Sequence, residues 1–81
     1  MIITDPVEKI IAEALDASGL EYQHECPLDF FVPQLGIFIE CKRYACERMA
    51  RQIGQRENVV VVVGIDAARA LASLIVRSAQ A

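Results

Sequence analysis

The chain has 81 residues, of which 54% are hydrophobic, with a formal net charge of −3 and three cysteines. This length suits one domain over residues 1–81, with a core small enough to want a metal, a disulfide or a second subunit. The net charge excludes a general affinity for polyanions, no apolar run approaches the roughly 20 residues that span a bilayer, and an odd cysteine count argues against a disulfide framework.

The start, MIITDPVEKI, lacks the basic and apolar stretches of a signal peptide, so a soluble, cytoplasmic protein is expected. Asp5 precedes Pro6, and Glu8 follows three residues later, which reads as a capped helix start. Val7, Ile10, Ile11, Ala14 and Leu15 then recur at helical spacing, and Gly19 is placed to end the helix. Residues 21–25 (EYQHE) are polar and short, as in an exposed or edge strand, and His24 reads as a surface residue there.

Residues 28–32 predict a second strand, with Leu28, Phe30 and Val32 on one face and Asp29 and Phe31 on the other. Residues 33–36 (PQLG) are a turn, and residues 37–42 a third strand with Ile37, Ile39 and Cys41 opposite Phe38, Glu40 and Lys42. A two-residue loop at Gln34-Leu35 would set Asp29 directly across from Glu40, although Gln-Leu is a poor sequence for such a loop. Two carboxylates and an ammonium would then share one patch. The bland alternative is a solvent-facing strand with alternating charges and a lone exposed Asp29.

Residues 45–56 predict a second helix, with Ala45, Met49, Gln52 and Ile53 inward and Arg48 and Arg51 on flanking faces. The β-branched run Val59–Val63 predicts a central strand buried on both faces, of the kind often found in parallel pairing. Asp66 is placed to cap a last helix through about Ser78, apolar over most of its circumference. Such a helix wants cover on more than one side, so a homodimer through this C-terminal helix is expected.

Charge is unevenly spread. Residues 1–41 hold eight acids and one base, whereas residues 42–81 hold three acids and seven bases. Lys42, Arg43, Arg48, Arg51 and Arg56 follow the acidic patch closely, a pattern that suits a polyanion cut with the help of a metal. The plain alternative is a solvated helix face. A rival use of the cysteines, a zinc module of His24, Cys26, Cys41 and Cys46, lacks the tight cysteine pairs of structural zinc sites.

The order helix, three strands, helix, strand, with Asp29 on the second strand and Glu40-x-Lys42 on the third, resembles the PD-(D/E)XK nuclease superfamily. Its small stand-alone members, of the VRR-Nuc type common in phages and of the Holliday-junction resolvase type, are similar in size. The resemblance covers roughly residues 5–64 and implies an α/β, restriction-endonuclease-like αβββαβ core, with a mixed central sheet flanked by helices and a C-terminal helix added. It implies a phosphodiester hydrolase that uses Mg²⁺ or Mn²⁺ to cut DNA, branched or flapped DNA included. Asp29 and Glu40 look like the metal-binding carboxylates, the Cys41 carbonyl like the intervening ligand, and Lys42 like the catalytic lysine. Glu8 sits where many members place a further metal-binding acid, and Gln52 resembles a polar residue found near the lysine. Arg43, Arg48, Arg51 and Gln52 are the expected nucleic-acid contacts. Two departures stand out: Leu28 rather than proline precedes Asp29, and the basic character is modest. The alternative is a nuclease-fold protein that binds nucleic acid or assembles with a larger machine without cutting.

Overall fold

The computed structural model describes residues 3–24, 29–43 and 58–80. The first helix, α1 (Pro6–Ala17), begins as the capping signal requires: Asp5 Oδ1 accepts from the N–H groups of Val7 at 2.9 Å and Glu8 at 3.1 Å. A cap of this kind contributes about 1 kcal/mol. At the other end Leu20 N–H donates to Leu15 O and Gly19 N–H to Asp16 O, with Gly19 at φ +70°. That paired closure needs a left-handed residue, which glycine adopts without steric cost.

Four strands form one mixed sheet in the order β1 (Gln23–His24), β2 (Phe30–Val32), β3 (Ile37–Lys42) and β4 (Val59–Val63). The first three are antiparallel, and β4 runs parallel to β3. Phe30 pairs with Ile39 and Val32 with Ile37, the register expected from the alternation of the two runs. The turn spans Pro33–Gly36 as expected, although as a four-residue loop and not a two-residue loop at Gln34-Leu35. Both Leu35 and Gly36 donate to Val32 O, and Gly36 takes the left-handed turn at φ +65°. β2 starts at Phe30, after a bend at Asp29 whose side chain is spent on β3, and Leu28 lies outside the described residues.

β4 is the last strand in the order rather than a central one, and of its valines only Val62 is fully buried. The final helix, α2 (Gly64–Gln80), follows without a loop, since Gly64 at φ +84° turns the chain straight out of the strand. Asp66 therefore lies inside the first turn, where a negative charge suits the helix dipole, and is not the cap. The second expected helix, residues 45–56, lies outside the described residues.

Both described helices pack on one side of the sheet and against each other. Val7, Ile11 and Leu15 of α1 and Ala68 and Ile75 of α2 meet Phe30, Val32, Ile39, Cys41 and Val62 of the strands in a single core. Cys41 points into that core, as strand alternation requires once Ile39 does. On the opposite side Phe31 and Phe38 stand ring against ring at 4.6 Å. No described helix is long and apolar enough to cross a membrane.

Candidate functional site

Continuing the β2–β3 register one residue beyond Phe30↔Ile39 sets Asp29 opposite Glu40. Asp29 is then fixed by its own side chain: Oδ2 accepts the Cys41 N–H at 2.7 Å. Its carboxylate also lies close enough to the carboxyls of Glu40, from β3, and Glu8, from the first turn of α1, to raise the pKa of each. Asp29 therefore stands between an acid of α1 and an acid of β3. Lys42, two residues along the strand and on the Glu40 face, places Nζ 3.2 Å from Glu40 Oε1.

Burial sharpens this crowding. Glu40 is 7% exposed, the one charged residue of the described chain that lies fully buried. Burial raises its pKa, the hydrogen bond and charge of Asp29 raise it further, and Lys42 partly offsets both. Glu8 is pushed from the ordinary 4.5 to about 7, first by burial and then by the hydrogen bond and charge of Asp29, with His24 acting in the other direction. The Cys41 thiol is pushed up by burial and then by Asp29, Glu8 and Glu40, so it stays protonated at neutral pH.

The raised value at Glu8 fixes the sign of a pH effect. The folded chain holds that proton more tightly than the unfolded chain, so the contribution to stability is full below about pH 4.5 and is lost as pH rises through about 7. Without metal, the urea midpoint should fall between about pH 5 and about pH 8, and Glu8→Gln should reduce that fall. Equal pH slopes for the two proteins would contradict the placement of Glu8.

Arg43 is exposed and pairs with the helix cap, its Nε 3.2 Å from Asp5 Oδ2. Asp5 is consequently lowered: burial alone raises it, but the Glu8 and Val7 N–H groups and Arg43 outweigh that. Arg48, Arg51 and Gln52 lie outside the described residues, as do Cys26 and Cys46 of the zinc alternative. His24 departs from expectation. Its side chain is 8% exposed, rests on Phe30 at 5.1 Å between ring centroids, and puts Nε2 3.5 Å from Glu8 Oε1. The polar run around it reads as surface; its burial comes from α1 and β2, which no local pattern records.

The donor set suits a hard dication. Three neighbouring carboxylates with one ammonium beside them leave negative charge unbalanced, and a divalent ion taking oxygen ligands would offset it. Among the described residues, however, no three His, Cys, Asp or Glu side chains are already grouped to hold one ion. The acids touch in pairs through Asp29, so holding a cation would require them to turn toward it. Compared with family models, with curated proteins and with solved structures, the chain matches none.

Proposed function

We propose that this protein is a metal-dependent endodeoxyribonuclease of the PD-(D/E)XK type. The observation that carries this reading is that Glu8 and Glu40 each lie against Asp29, with Lys42 against Glu40. The order α, three antiparallel strands, then a parallel strand agrees with a restriction-endonuclease-like core.

In this reading Asp29, Glu40 and Glu8, with the Cys41 carbonyl, hold Mg²⁺ or Mn²⁺. When bound, such an ion polarises the scissile phosphate and lowers the pKa of a water. Lys42 orients or deprotonates the attacking water and offsets charge developing on the phosphate, as a compact ammonium on a flexible stem can. The burial of Glu40 keeps bulk water from competing for the site. The substrate is DNA, with branched or flapped forms included, contacted by Arg43 and by Arg48, Arg51 and Gln52. The cellular setting would be the cytoplasm, with a phage or prophage origin.

A cleavage panel of linear, flapped, four-way and single-stranded DNA, with and without Mg²⁺ or Mn²⁺, tests the assignment. Metal-dependent cutting of at least one substrate is the expected result. Binding without cutting would favour the inactive nuclease-fold module, and neither binding nor cutting would overturn both readings.

The dimer belongs to the same proposal. Leu74 of α2 is 58% exposed and Leu35 of the turn 47%, and with Leu20, Ile37 and Leu71 they line a shallow apolar hollow. Light scattering at micromolar concentration should give a dimeric mass that Leu74→Glu converts to a monomer, because a buried unpaired carboxylate is costly. A monomeric wild type would refute it.

A further inference from the structure

β4 is a run of valines from Val59 to Val63 and, among the described residues, has β3 as its one neighbour in the sheet. Phe38 pairs with Val59 and donates its N–H to Asn58 O at 2.9 Å. Successive residues of a strand turn their backbone groups to opposite sides, so Asn58, Val60 and Val62 direct theirs at β3. The N–H groups of Val59, Val61 and Val63 point to the open edge instead. Edge strands commonly carry a proline, a lysine or a bulge that discourages pairing, and Val59–Val63 has none of these.

The helix above continues this apolar edge. Ala72 and Val76 of α2 share a groove with Ile10 and Ala14 of α1, and Ala68 and Ile75 face the core. Helical spacing then leaves Leu71 and Leu74 on the flank turned away from α1. α2 packs on β4 as well as on β3, so that flank lies on the β4 side of the sheet, where Leu74 is 58% exposed.

We propose that the outer edge of β4 pairs antiparallel with β4 of a second copy, about a two-fold axis at Val61. The inference rests on the dimer read above and names the strand that makes it. Outward backbone groups are best met by another strand, and a run of one residue type presents to its own copy the same surface it receives. Val61 then faces its own counterpart, and Val59 faces the counterpart of Val63. The exposed leucine flanks of the two helices lie on either side of the same seam. Because Glu40 pairs with Val61, the two Glu40 residues stand in line across three strand spacings, about 14 Å. Both candidate sites therefore share one face of a continuous sheet.

Amide hydrogen exchange of the ¹⁵N-labelled full chain, read by NMR at a concentration where light scattering gives a dimer, tests the pairing. The Val61 N–H should exchange roughly tenfold or more slowly than in the Leu74→Glu monomer, while Val60 and Val62, bonded to β3, stay alike in both. Val61→Pro removes an outward donor and leaves the ladder to β3 its hydrogen bonds, so it should give a monomer. A dimer whose Val61 N–H exchanges freely would overturn this inference and leave the dimer through α2 standing. A monomeric wild type would overturn both. Equal protection of Val61 in dimer and monomer would show that the chain covers this edge itself, and would overturn the pairing. The wild-type exchange, compared between dimeric and diluted samples, decides the matter even where a variant fails to fold.

Discussion

Lys42→Ala should abolish metal-dependent cutting, lowering the rate by about 10²–10⁴-fold, the range that a positioned proton-transfer group contributes. The fold should survive, because the Lys42 side chain is 38% exposed and stands outside the core. One cost is foreseeable. Without the ammonium, Glu40 loses the partner that offsets burial and Asp29, so its carboxyl should take up a proton more readily. The companion test uses Asp29→Asn in preference to Asp29→Ala. Alanine would leave the buried Cys41 N–H without its acceptor, a loss of about 1–3 kcal/mol that confuses folding with chemistry. Asparagine keeps an oxygen for that N–H while removing the charge. Single-turnover cleavage and circular dichroism on both variants give the answer, and undiminished cutting by both would sink the nuclease assignment.

Phe30→Ala should produce the largest change in stability, about 3–5 kcal/mol. Phe30 is 0% exposed, pairs with Ile39, and meets Tyr22 edge-on and His24 at a tilt, at 5.5 and 5.1 Å between centroids. Removing the ring opens a cavity where the edge strand, the hairpin and both helices meet. A domain this short holds little reserve, so a loss of that size should leave much of the chain unfolded at 25 °C. A urea midpoint within experimental error of wild type would show that the core lies elsewhere.

Much of this arrangement was legible in the sequence, for reasons that differ from element to element. The Asp29–Glu40 register came out right although the tight loop used to derive it, Gln34-Leu35, is two residues shorter than the loop that forms. A loop lengthened equally on both sides leaves the pairing unchanged, and side-chain alternation fixes the parity. Capping chemistry marked both ends of α1, since Asp5 and Gly19 act through local geometry alone. His24 was illegible because its burial is made by Phe30 and Glu8, one across the ladder and the other on a different element. The strand-to-helix junction at Gly64 was misread because a capping residue was sought where a left-handed glycine makes the turn. The position of β4 was also misread: a β-branched run reports strand propensity, while its place in the sheet depends on partners.

The hydrogen bond from the Cys41 N–H to Asp29 gives position 29 two masters. The same short side chain must reach a backbone amide on the next strand and stand between two other acids. A glutamate there would keep the charge but carry its carboxyl one methylene further, and it could satisfy the amide or the acids, not both. The most charge-conserving replacement is therefore poorly tolerated, and this position selects for length as well as for charge.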